Sequence, residues 1–158
     1  GHEFVAEEKD ALEQFIMTEY DLMQMSPFRW IDLFGDGSLR MAMGFEGFVG
    51  VANTSGLSIS FGRTKSGRVQ LKVLAVGGGA QATAAADDFL RVIEDGSAAK
   101  KTKRWLDQRA TEKQIEHLRK QGIEVGLMDF SWTKYRAACM LNFMWNKTVI
   151  EQAVEKYL

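Results

Sequence analysis

Residues 29 to 76 hold five short apolar segments, separated by glycine-bearing turns too brief to house a crossover helix. "RWIDLFGDGSLRMAMGF" reads as two strands joined at Asp36-Gly37, a favoured hairpin turn. In its second strand Leu39, Met41, Met43 and Phe45 alternate with Arg40, Ala42 and Gly44, the pattern of a strand with one buried face. "GFVGVAN" and "LSISFGR" make a second hairpin about Thr54-Ser55-Gly56, and "GRVQLKVLAV" is a fifth strand with Val69, Leu71, Val73 and Ala75 on one face. A parallel pair needs a crossover of roughly a dozen residues or more, so strands linked this tightly must be antiparallel neighbours. The expectation is an antiparallel meander of about five strands.

A meander of this kind needs a cover for its apolar face. Gly77-Gly78-Gly79 leads into "AQATAAADDFLRVIED", a helix ending at Gly96 that is expected to supply it through Ala85, Phe89, Val92 and Ile93. Upstream, residues 5 to 25 read as one amphipathic helix along Leu12, Phe15, Ile16 and Met23. Glu19 interrupts its stripe and Ser26-Pro27 ends it. "DGSAAKK" is a small, polar boundary, and beyond it the chain reads as helical. One helix is expected over about 98 to 108. A second opens at Thr111, where "TEKQ" forms a capping box, and ends at Gly122. Ser131 or Thr133 then caps "WTKYRAACMLNFMW", and "KTVIEQAVEKYL" closes the chain with Val149, Ile150, Ala153, Val154 and Tyr157 as an apolar stripe. The fold class is therefore α+β: an N-terminal helix, an antiparallel meander covered by a helix, and a C-terminal helical module. By domain, residues 1–4 read as a cloning remnant on a piece of a longer protein, 5–96 as the helix-plus-sheet domain, and 97–158 as a basic helical module.

The net charge of −1 conceals an imbalance between these parts. Residues 1 to 95 carry 8 basic and 14 acidic side chains, whereas residues 96 to 158 carry 12 basic and 7 acidic. A polyanion should prefer the second part. No apolar run approaches the ~20 residues that span a bilayer, so no membrane partner is expected. The single cysteine, Cys139, permits no internal disulfide and suits a reducing, cytoplasmic setting.

Several residues tempt a chemical reading. Gly77-x-Gly79-x-x-Ala82 fits a loose dinucleotide fingerprint, but no βαβ unit follows it and a connector is the plainer account. His117 reads as a solvated helix residue and Cys139 as a buried structural thiol without a partner base. Asp87 and Asp88 are adjacent, so a helix points them about 100° apart, which is poor geometry for a carboxylate pair. Met17, Met23, Met25, Met41 and Met43 read as core filling, with an adaptable partner surface as the alternative. Neither a catalytic motif nor a metal or cofactor signature is present, so the chain is expected to be non-enzymatic and to need no cofactor.

The basic stretch is the strongest remaining signal. Lys100, Lys101, Lys103 and Arg104 cluster beside Trp105; Arg109, Lys113, Arg119 and Lys120 follow; and Trp132, Lys134, Tyr135 and Arg136 again mix aromatics with cations. Cations neutralise phosphates and release counterions, while aromatics stack on unpaired bases. The competing reading is a solvated helical face with its aromatics turned to the core. Four strings, "SPFRWIDLFGDGSLRMAMGFEGFVGV", "LAVGGGAQATAAADDFLR", "KKTKRWLDQRATEKQIEHLRKQGI" and "SWTKYRAACMLNFMWNKTVIEQ", resemble the C-terminal accessory region of bacterial and phage superfamily 2 (DEAD/DEAH-type) helicases. The resemblance covers nearly all of the chain after the first helix. It implies a non-catalytic domain following two motor domains, whose motifs are absent here, with those motor domains and single-stranded or branched DNA as partners. The alternative is a protein–protein module that docks on the motor or on a replication or repair partner through the acidic first helix and the methionine-bearing hairpin.

Overall fold

The alternating segments do form one sheet. The computed structural model describes residues 18–65, 70–94, 100–101 and 103–158. Its five strands, β1 (Ile31–Asp32), β2 (Leu39–Met43), β3 (Gly47–Thr54), β4 (Leu57–Thr64) and β5 (Lys72–Gly77), lie in sequence order and pair antiparallel throughout. The β3–β4 hairpin closes through Ser55-Gly56, with Thr54 opposite Leu57 and Gly56 at φ 80°, the left-handed conformation that a two-residue turn demands of glycine. The expected tight turn at Asp36-Gly37 is a longer loop instead. The Asp32 carboxylate accepts the backbone N–H groups of Gly35 (3.0 Å) and Gly37 (2.9 Å), which turns the chain before Leu39 begins β2.

Helix α1 spans Glu19–Met25, with Thr18 as an extended N-cap in a reciprocal capping box with Asp21. Thr18 thus interrupts the single helix expected over 5 to 25; residues 5–17, like the expected remnant at 1–4, lie outside the described residues. Glu19, which broke the apolar stripe, accepts from Arg40 (2.9 Å) and Asn53 (3.2 Å) on the sheet. Helix α2 (Gly79–Ile93) lies across one face of the sheet. Its Ala82, Ala86 and Leu90 pack with Phe28, Ala42, Val49 and Val51, flanked by Phe89 and Ile93. Of the cover residues expected here, Val92 does not serve: it is 82% exposed. Ser26 ties α1 to α2 through a 2.5 Å hydrogen bond to the buried Asp87 carboxylate, which Arg91 also pairs.

The other face is covered as well, which strand alternation alone did not reveal. Leu39, Met41, Met43, Phe48 and Phe61 share one core with Leu106, Ala110, Leu118, Trp132, Tyr135, Cys139 and Ile150. The result is a helix–sheet–helix layering, with a single core running through both segments that the charge imbalance distinguishes. Of the helix expected over 98 to 108, residues 98–99 and 102 lie outside the described residues, and among the described ones only Arg104–Asp107 is helical, as a 3₁₀ turn. Lys103 is extended, the Lys101 N–H donates to the Pro27 carbonyl (2.8 Å), and Arg29 grips both the Lys101 carbonyl (3.1 Å) and the Asp107 carboxylate. Those bonds hold this segment against the end of α1, leaving one short turn to bury Leu106. Helix α3 (Glu112–Lys120) starts at the expected Thr111–Gln114 capping box and stops before Gly122, at φ 83°. Thr133 rather than Ser131 caps α4, which runs unbroken over Lys134–Glu155.

Candidate nucleic-acid interface

The structure disperses the basic stretch. Lys101 donates to the Gln24 carbonyl (2.6 Å) and serves as a brace. Arg109 lies over the Phe130 ring (4.8 Å), Arg119 donates to the Val125 carbonyl (3.0 Å), and Lys120 pairs with Glu116 (3.3 Å). Lys134 donates to Gln108 (2.9 Å), and Arg136 donates to Ser131 (2.8 Å) while covering the Trp132 ring at 3.8 Å. Neither expected stacking residue offers an open ring face. Trp132 is 3% exposed beneath Arg136, and Trp105 packs against Phe45 and Tyr135. Both rings were drawn inward by the α4–sheet core. The exposed side chains of Lys100, Lys103, Arg104 and Lys113 make no ion pair or hydrogen bond among the described residues.

One of these, Lys113, lines a groove of about 650 Å³ where α3, α4 and the end of β4 converge. The capping box fixes where α3 begins, and so sets Lys113 and His117, one turn apart, along this wall. β4 contributes Arg63 and Thr64, and Lys65 follows directly. The floor is apolar, made by Met43, Phe48, Ala138 and Leu141, and among the described residues the lining contains no carboxylate. From α4 come Asn142, Trp145 and Asn146. Asn146 is held on both sides: its Nδ2 donates to the Asn142 backbone and side-chain oxygens (2.8 Å each), and its Oδ1 accepts from Arg63 Nη1 (2.8 Å). Trp145 is 66% exposed, the most open of the tryptophans. A second groove of about 330 Å³ adjoins the first at Arg63 and continues along α4 past Val149, Gln152, Ala153 and Lys156.

Sequence reasoning placed only Lys113 in this groove. It missed Arg63, Lys65, Asn142, Trp145 and Asn146. The one available signal was a run at helical spacing, Ala138, Leu141, Asn142, Trp145, Asn146, Val149, Gln152, Ala153 and Lys156, which marks a single mixed polar face on α4.

The glycine spacing that resembled a dinucleotide fingerprint has the wrong surroundings. β5 is an edge strand antiparallel to β4, and a Cβ at Gly79 would lie 2.7 Å from Glu19 Oε2. The protein's own carboxylate thus stands at the N-terminus of α2, where a pyrophosphate would have to bind. No group of histidine, cysteine and carboxylate side chains among the described residues could hold a metal ion. Likewise, no described helix is long and apolar enough to cross a membrane. Cys139 is buried, and burial pushes its thiol up to about 12 despite a hydrogen bond with Tyr135. Met41 is fully buried beneath α4 and Met43 is buried but for the part that floors the groove, whereas Met25 is exposed.

A family model described as "Mitochondrial helicase Irc3, C-terminal domain" matches residues 8–157. No curated protein and no solved structure matches the chain.

Proposed function

The chain belongs to this family of helicase C-terminal domains, and on that footing we propose that it is a non-catalytic accessory domain that holds DNA for the motor of a superfamily 2 helicase of bacterial or phage origin. The observation that carries the reading is the groove walled by Arg63, Lys65 and Lys113, with no carboxylate among its described lining residues. Phosphates are held by cations whose field is not cancelled nearby. The exposed Lys100, Lys103 and Arg104 would extend that field as a secondary, outlying contact.

Fluorescence anisotropy with labelled single-stranded, duplex and forked DNA tests this. Affinity should fall steeply as salt rises. Joint reversal of Lys65→Glu and Lys113→Glu should weaken binding at least tenfold. It should also flatten the log–log salt slope by roughly 1.5, at about 0.7–0.9 for each phosphate that is no longer neutralised. Binding indifferent to salt, or unchanged by both reversals, would refute the assignment. A second reading, docking on the motor domains, is favoured by the exposed Leu127, Met128 and Phe130 between α3 and α4. In that case Leu127→Ser/Phe130→Ser, and not the charge reversals, should impair the parent helicase.

A further inference from the structure

We infer that the groove seats one unpaired base of the bound strand, with Trp145 as its stacking surface. This rests on the DNA-holding reading above and specifies which part of DNA the groove takes. Three features point to a base as well as a phosphate. An apolar floor is of no use to a phosphate, but it suits the face or edge of a heterocycle entering a cavity of about 650 Å³, within the usual range of ligand sites. Trp145 lines that cavity and yet is 66% exposed, so an aromatic plane faces solvent between an apolar floor and a cationic wall. Stacking on such a plane tolerates every base, because each has a π-face. The third feature is the Asn142 amide. Its oxygen accepts from Asn146, while its Nδ2 donates to nothing among the described residues. A donor left over at a groove matches the ring-nitrogen and carbonyl acceptors that an unpaired base presents and a paired base hides.

The ligand is a strand and not a free nucleotide, because the site continues. The second groove joins at Arg63, and the shared face of α4 from Ala138 to Lys156 is about 27 Å long at 1.5 Å per residue. Lys65 and Lys113 at one end and Lys156 at the other can meet phosphates flanking the seated base. The lack of carboxylates among the described lining residues of the first groove argues against a basic peptide in the same place.

The test compares labelled oligothymidylate with an abasic strand of equal length, which keeps the phosphates and lacks the bases. The chain should prefer the base-bearing strand by about 5- to 100-fold, the range of one stacked base. Trp145→Ala should reduce oligothymidylate binding to the abasic level and leave abasic affinity and salt slope unchanged; Trp145→Phe should restore most of the preference. Equal, salt-sensitive binding of both strands overturns the base site alone, as does a preference that survives Trp145→Ala. Failure of both strands to bind at low salt overturns the base site and the DNA-holding reading together. Displacement of oligothymidylate by thymidine monophosphate as effectively as by unlabelled strand would overturn the assignment to a strand.

Discussion

Tyr135 offers the sharpest test of how the helical segment is joined to the sheet. It lies in the first turn of α4 and is 1% exposed. Its hydroxyl donates to the Arg29 carbonyl at 2.6 Å and accepts the Met43 N–H of β2 at 2.9 Å. Burial holds the phenol well above its ordinary pKa of 10.0, so it stays neutral and keeps its donor. Tyr135→Phe preserves the ring and leaves no large cavity, so the loss is confined to the hydroxyl's hydrogen bonds, of which these two to the backbone dominate over the one to the Cys139 thiol. The Met43 N–H is buried, so losing its acceptor costs about 1–3 kcal/mol. The Arg29 carbonyl belongs to a half-buried residue and can be rehydrated, adding ~0.5–1 kcal/mol. The total is about 1.5–4 kcal/mol. With a urea m-value of about 2 kcal/mol per molar, the unfolding midpoint should fall by roughly 0.8 to 2 M. Far-ultraviolet circular dichroism and tryptophan fluorescence should register the same shift, because the bonds couple β2 to α4 within one core. A fall below about 0.3 M would refute the reasoning, and apolar packing alone would then hold the junction. Two separated transitions would refute the single core.

Two further perturbations follow from the same packing. Cys139 is raised from 9.0 to about 12, so the native state retains a proton that the unfolded state releases; its contribution is fully present below about pH 9 and is lost as pH rises toward 12, at up to ~1.4 kcal/mol per pH unit. Cys139→Ala should flatten the decline in stability between about pH 9 and 10, before Tyr135 adds its own loss in the same direction, and a decline of unchanged slope would count against the assignment. Thr111→Ala removes the cap of α3 and should cost about 1 kcal/mol in thermal or urea unfolding. Thr111→Ser should retain the stability, and an equal loss in both variants would mean the side-chain oxygen is not what matters.

The architecture was legible wherever a local rule decided it. Short glycine-bearing links left antiparallel neighbours as the only pairing, and the sheet follows in sequence order. The Thr111 capping box needs only residues three apart and was placed correctly. What failed were inferences requiring knowledge of what lies above a face. Ala42 looked like a solvent-side position because Arg40 and Gly44 flank it, yet it is fully buried under α2. The helix expected over 98 to 108 had acceptable composition, but the Pro27 carbonyl and Arg29 dock Lys101 beside the end of α1, and both partners are some seventy positions away.

The same distinction explains why the candidate groove was invisible and the basic stretch conspicuous. Density of charge along a chain is not density in space. Lys100 to Arg104 are adjacent in sequence, yet Lys101 turns back to α1 as a brace. Arg63, Lys65, Lys113 and His117 are dilute in sequence, and the packing of α3 and α4 beside β4 gathers them around one cavity. Helix α4 conceals the arrangement because it serves two environments at once. Of the apolar stripe expected at its end, Ile150 is buried and Val154 packs on the core, whereas Val149 and Ala153 line the outer groove. A helix that buries one apolar face and offers another, studded with Asn142, Trp145 and Asn146, shows little contrast between its sides. Weak amphipathicity on this long helix is what two differently lined faces leave in its sequence.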